Sequence, residues 1–167
     1  MNANTTTSKT GLLTKHLVPL LAALMLAFAT QGVQASDAVP YKGSGAGATV
    51  DAVPDPGGLL LSVLVEGHAT LTGNFVREES VVFDPVAGTL SGTFVTTAAN
   101  GDQIFGTITG QFISPTMVVG TNTLTGGTGR FENATGQTTF SLVTEDGVHF
   151  TVEFNGRLSS VGANQKK

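Results

Sequence analysis

Asp102–Phe112 reads DQIFGTITGQF and Val148–Leu158 reads VHFTVEFNGRL. In the first, Ile104, Gly106, Ile108, Gly110 and Phe112 are apolar or small, while Gln103, Thr107, Thr109 and Gln111 between them are polar. In the second, Val148, Phe150, Val152, Phe154 and Leu158 share one face, and His149, Thr151, Glu153, Asn155 and Arg157 share the other. A period of two belongs to a strand with one buried face, because successive side chains leave a pleated chain on opposite sides. Leu59–Leu71 repeats the pattern more loosely through Leu59, Leu61, Val63, Val65 and Ala69. Helical periods are absent past Leu59, where Val, Thr and Phe favour strands and Gly and Thr disfavour helices.

Turn residues divide these runs. Asp84-Pro85-Val86-Ala87-Gly88, Asn100-Gly101, Ser114-Pro115 and Asp146-Gly147 each stand between two of them. Asn-Gly and Asp-Gly flanked by alternation are strong hairpin signals, since both residues tolerate positive φ. The reading is about eight strands, near 48–53, 59–70, 74–84, 89–98, 102–112, 116–125, 131–145 and 148–159. Hairpins in series make an antiparallel meander, and closure into a barrel buries its apolar face and removes its edges. The expected fold is therefore all-β, a single antiparallel closed barrel. A membrane barrel would turn the apolar face outward between girdles of Trp and Tyr. The chain has no Trp, and its one Tyr, Tyr41, falls outside the expected strands.

Upstream the texture changes. Ser36–Gly58 is rich in Gly, Pro, Ala and Asp and reads as a flexible leader with one short strand near 48–53. Before it, Lys9 and Lys15 precede the apolar run Leu17–Thr30, followed by Val33-Gln34-Ala35. A charged leader, a short apolar stretch and small residues at a cleavage point are the parts of an export signal, expected to span residues 1–35. The run is shorter than the roughly 20 residues that cross a bilayer. The expected organisation is signal 1–35, leader 36–58, barrel 59–160 and polar tail 161–167, in a secreted or periplasmic protein. Removing Lys9 and Lys15 with the signal leaves six basic against twelve acidic residues. Such a surface offers no footprint for nucleic acid or an anionic membrane. With no cysteine, burial and sheet hydrogen bonds must hold the domain.

The most distinctive stretch is Leu124–Phe140, LTGGTGRFENATGQTTF, with Gly126, Gly127 and Gly129 ahead of Arg130-Phe131. It lacks the Gly-Lys-Ser/Thr ending of a phosphate-binding loop. The stretch resembles the glycine-rich segment of the allene oxide cyclase and dirigent barrels, where a Gly-Gly-Thr/Ser-Gly turn precedes a basic or apolar residue and Phe. The final strand ending Phe154-Asn155-Gly156-Arg157-Leu158 agrees with those families. Ala99-Asn100-Gly101-Asp102 is similar to small exported bacterial members of the class. The resemblance covers roughly residues 59–160. It implies an eight-stranded, calycin-type barrel whose lumen holds a hydrophobic molecule, and whose outer faces serve association, a homo-oligomer included. Gly126, Gly127, Gly129, Arg130 and Phe131 are then a structural loop rather than a catalytic one, and no catalytic residue carries over.

Candidate chemistry is sparse. The mature chain has two histidines, His68 and His149, on the polar sides of their strands beside Glu66 and Glu153. A His–carboxylate acid/base pair is one reading and a solvated outer face the other. No metal site is expected, because neither cysteines nor spaced carboxylates support one. No cofactor is expected either. Arg77 and Glu79 interrupt an apolar face between Phe75 and Val81, so they either stand inside the lumen or mark a bulge. Arg130 beside Glu132 reads as a clamp on the glycine loop. Gly106 and Gly110 share the inward face with Ile104, Ile108 and Phe112, so that wall either admits another backbone or leaves lumen space. On the second reading one small apolar molecule fits among Ile104, Gly106, Ile108, Gly110, Phe112, Phe150, Val152 and Phe154. Two functions follow: an exported barrel that binds a small apolar molecule or acts as a structural or interaction module, and a lumen enzyme of the cyclase or isomerase type.

Overall fold

The computed structural model describes residues 38–159. The expected export signal and the whole of the expected polar tail lie outside them. Eight strands follow in order: β1 Val39–Asp55, β2 Gly58–Ala69, β3 Gly73–Asp84, β4 Thr89–Ala98, β5 Gln103–Ser114, β6 Met117–Gly127, β7 Gly136–Thr144 and β8 His149–Leu158. Each pairs antiparallel with its chain neighbours, and β1 pairs with both β2 and β8, which closes the barrel. The Asn-Gly and Asp-Gly turns form as expected, with Gly101 at φ +87 and Gly147 at φ +76.

The apolar faces point inward. Val63, Val65, Phe75, Val81, Phe94, Ile104, Ile108, Val118, Leu124, Phe140 and Leu158 form the buried core. His68, Thr107, Thr109, His149, Thr151 and Glu153 stand exposed on the outer face. That is the reverse of the arrangement a lipid-facing barrel needs.

The stretch expected as a flexible leader is instead a seventeen-residue strand. Its sequence KGSGAGA alternates small inward residues, Gly43, Gly45 and Gly47, with Lys42, Ser44 and Ala46 on the outside. A small-residue alternation carries little hydrophobic contrast, so the period of two is easy to miss. Its purpose lies on the neighbouring strand. Gly43 is in register with Phe154 and Gly47 with Phe150, and a Cβ on either glycine would run into that ring. Tyr41 consequently lies within β1, only 5% exposed.

The same device recurs around the barrel. Phe75 lies over Gly67, Phe94 over Gly106, and Phe140 over Gly120, each pair directly opposite across a strand boundary. Ring on glycine covers the bare backbone and lets a small barrel hold large rings. The expectation of uncovered lumen space beside Gly106 is therefore wrong: Phe94 fills it. Gly110 is likewise faced by Phe140, Leu90 and Val118.

Two further expectations change. The strand expected over 131–145 begins only at Gly136, because Gly129–Phe131 is a 3-10 turn that drops the Phe131 ring into the core. Val148 is 43% exposed, since it precedes β8 in the turn rather than sharing its inward face.

Candidate functional site

The two ends of the barrel differ. At one end the connection between β6 and β7 folds inward, so that Phe131, Ile104 and Leu158 are 0% exposed and Leu124 and Ala134 are 3% exposed. Arg130 fastens that plug. Its guanidinium donates to the Leu71 carbonyl at 2.7 Å and lies 3.7 Å from the Asp102 carboxylate. Asp102 in turn accepts from the Arg130 backbone N–H and from Asn100 Nδ2. The clamp expected of Arg130 is present, with Asp102 rather than Glu132 as its anion.

At the other end the side chains are less covered. Leu61, Phe83, Leu90, Phe112, Leu142 and Phe150 are half-buried around it. Val53, Val86, Ile113 and Val148 stand exposed, one beside each of the four hairpin turns at that end. The Phe83 and Phe112 rings meet across the rim at 5.4 Å.

Between mouth and plug lies a polar layer. Arg77 and Glu79 both face the lumen, because β3 keeps an unbroken register with β2 and with β4 and has no bulge. Arg77 Nε lies 2.6 Å from Glu79 Oε1, with the two side chains 12% and 11% exposed. The N–H at Nε is aligned with no acceptor among the described residues. The two side chains form a close ion pair inside the barrel. A terminal nitrogen of Arg77 donates to Asn122 Oδ1 at 2.9 Å, and Asn122 Nδ2 donates to Thr138 Oγ1 at 3.1 Å. The guanidinium carbon sits 3.7 Å over the Phe94 ring, a cation–π contact. Burial pushes the Arg77 pKa down, opposed by Glu79 and Tyr41. Burial also raises the Tyr41 pKa, against the hydroxyl of Thr72 and the charge of Arg77, so the phenol stays neutral.

A cavity of about 30 Å³ opens on Arg77, Glu79 and Asn122, walled by Leu142, Phe150 and Val152. That is room for one water. A second, of about 10 Å³, lies toward the plug beside Tyr41 and Thr96. All eight residues expected as lumen wall do face the lumen, but at different depths. Phe112, Phe150 and Val152 line the mouth side, Ile108, Gly110 and Phe154 the middle, and Ile104 and Gly106 the sealed end. Asn122, Thr138 and Tyr41 escaped the sequence reading. The signal for Asn122 was there: carrying the alternation through Gly120, Asn122 and Leu124 puts an amide on an apolar face.

The histidines are not brought into the lumen. His149 pairs with Asp146 at 2.7 Å across the last hairpin rather than with Glu153, with side chains 75% and 54% exposed.

This geometry matches solved barrels. No family model matches the sequence, and no curated protein matches it. The pterocarpan synthase dirigent protein PsPTS1 superposes with a TM-score of 0.51 at 14% identity, over 75% of this chain and 97% of its own. The fold is a dirigent-like barrel. A second pterocarpan synthase dirigent protein, GePTS1, gives a TM-score of 0.49 at 16% identity, over 80% of this chain and 92% of its own.

Proposed function

We propose that this protein is an exported barrel that takes up one small, mostly apolar, uncharged molecule through the open mouth and holds an oxygen of that molecule on Arg77. The observation that carries the reading is the cavity of about 30 Å³ on the mouth side, where the polar group of Arg77, Glu79 and Asn122 meets apolar walls. A guanidinium donates through several N–H groups, so a carbonyl, ether or hydroxyl oxygen of a ligand entering this cavity can accept from Arg77.

Charge balance selects the ligand class. Arg77 is already matched by Glu79, and Tyr41 is neutral. A carboxylate or an ammonium brought here would be a buried, uncompensated charge. The body of the ligand must be apolar, because the path to Arg77 runs between Leu142, Phe150 and Val152. At about 30 Å³ the cavity admits such a molecule only when the half-buried rings at the mouth, Phe112 and Phe150, turn aside.

A fluorescent naphthyl ketone tests this, with naphthalene and a naphthoate as controls. The ketone should bind with micromolar affinity, and Arg77→Lys, which keeps the charge but loses the planar donor fork, should weaken it by about tenfold or more. If no probe binds the folded protein below about 1 mM, the carrier reading falls.

A second reading is turnover inside the lumen, of the cyclase or isomerase type. Glu79 favours it, as a carboxylate beside the cavity is placed to act as a base. The similarity to a protein named a pterocarpan synthase points the same way. Recovery of the ligand unchanged after long incubation separates the carrier from the enzyme.

A further inference from the structure

The alternation of inward apolar and outward polar residues stops at one end of this barrel. The runs 52–53, 59–61, 81–83, 112–113, 117–119 and 142–143 contain only Ala, Val, Leu, Ile, Phe and Met, and each sits at the end of its strand opposite the plug. Successive residues leave a strand on opposite sides, so this end of the wall is apolar outside as well as inside. On the outer face Val53, Leu60 and Val82 stand in register across β1, β2 and β3, and Met117 stands in register with Val143 across β6 and β7. Val86 on the β3–β4 turn is 97% exposed, and Ile113 beside the β5–β6 turn is 59% exposed. Single exposed aliphatic side chains are ordinary, but a zone of them gathered at one end marks an interaction site.

From this distribution we infer that the end opposite the plug docks end-on into the headgroup region of a zwitterionic lipid bilayer, without spanning it. The contact stands on outward side chains and is independent of what enters the lumen. Depth agrees with it. Two residues at about 3.3 Å make an apolar zone about 7 Å tall, and elements that lie in a membrane interface sink about 5–10 Å.

The backbone agrees too. Turn N–H groups that leave water must find acceptors within the protein. Here a side chain in each of the four turns supplies them. Asp55 accepts from the Gly57 N–H, Asp84 from Val86 and Ala87, and Asp146 from Val148 and His149. Ser114 Oγ accepts from the Thr116 N–H at 3.4 Å.

Charge selects the lipid. Among the described residues Lys42, Arg130 and Arg157 lie toward the plug and Arg77 lies inside, whereas Asp51, Asp55, Asp84, Glu145 and Asp146 surround the docking end. Carboxylates at headgroup depth attract the ammonium groups of phosphatidylcholine or phosphatidylethanolamine and repel an anionic surface. A protein partner fits less well. Protein interfaces centre on Trp, Tyr and Arg held in shaped pockets, and no such residue faces outward at this end. Aliphatic tips suit a fluid layer, which needs no fixed complementary shape.

The test uses protein recovered after export, its N-terminus established by intact mass, in flotation with phosphatidylcholine vesicles. Wild type should be half-bound below about 1 mM lipid. Binding should persist in about 0.5 M salt, since apolar contact is not screened. Val86→Asn and Ile113→Asn together should weaken it by about tenfold or more while the melting temperature holds. Thr123→Gln, on the outer wall nearer the plug, should leave it unchanged. The chain has no cysteine. Val86→Cys therefore takes a single polarity-sensitive dye, whose emission should shift to the blue when vesicles are added, and the same dye on Thr123→Cys should not shift. Mixing phosphatidylglycerol into the vesicles should weaken binding. No flotation at about 1 mM lipid, or binding that tightens on phosphatidylglycerol, overturns the inference. Flotation that survives the paired Asn substitutions puts the contact elsewhere on the chain, the run Leu17–Thr30 included, and overturns it. A protein that covers Val86 and Ile113 when vesicles do not overturns it as well.

Discussion

The sealed end and the open end are built from the same eight strands, yet they have opposite characters. At the sealed end one long connection carries Phe131 into the core, and Arg130 ties it to Leu71 and Asp102. At the open end the hairpins are short and rise clear of the lumen, leaving rings half-buried and aliphatic side chains in water. A plug of this kind concentrates stability where nothing has to move. The mouth keeps packing loose where a molecule has to pass. Binding regions generally come from the less stable part of a structure.

Four tests sharpen or break this contrast. The largest effect belongs to the plug. Phe131→Ala leaves a cavity in the tightest part of the core and should lower stability by about 3–5 kcal/mol, against about 1–2 for Phe112→Ala at the mouth. Denaturant titrations compare them, and equal losses would mean that the two ends are packed alike.

Next comes a contrast within one strand. A Cβ at Gly106 meets the Phe94 ring and the Thr123 backbone carbonyl, so Gly106→Ala should destabilise by about 1–3 kcal/mol. A Cβ at Gly110, toward the mouth, meets only the ends of side chains at 3.1–3.2 Å. Gly110→Ala should shift stability by less than about 1 kcal/mol. If Gly106→Ala melts higher than wild type, the ring-on-glycine packing is not tight.

Smaller still is the latch. Arg130→Gln strips the Leu71 carbonyl of a charged donor and should lower stability by about 1–2 kcal/mol. Limited proteolysis should then cut first between Thr128 and Thr135. Initial cleavage at the mouth hairpins instead would put the weak point at the wrong end.

The smallest effect lies at the rim. The His149 ring, then the Val148 and His149 backbone N–H groups, hold the Asp146 carboxyl well below the usual carboxylate range. A depressed pKa in the folded state stabilises above the unfolded value near pH 4 and is lost as pH falls through the folded value. Asp146 is fully exposed, so screening keeps the effect slight. Asp146→Asn should lower the melting temperature marginally at pH 7, with the gap to wild type closing under strong acid. A gap that widens on acidification has the wrong sign for this account.

Much of the molecule is legible in its residues. Alternation in Asp102–Phe112 and Val148–Leu158, with Asn-Gly and Asp-Gly between runs, determines antiparallel strands, their inward faces and closure into a barrel. These are local signals, since strand period and turn chemistry act within a few residues. Runs such as Leu59-Leu60-Leu61, where alternation stops, are equally plain in the chain, although only the strand order gathers them at one end.

What lies across strands could not be read this way. The reach of β1 back to Val39 depends on Phe150 and Phe154, more than a hundred residues away, seated on its glycines. Whether Gly106 was a gap depended on Phe94 opposite, and whether Arg77 faced the lumen depended on an unbroken register. The polar layer of Arg77, Glu79, Asn122 and Thr138 is assembled from four places in the chain, with no spacing to mark it. Only the tertiary structure decides such matters, because a glycine and the ring that covers it, or a guanidinium and its acceptor, become neighbours through register and closure rather than through sequence.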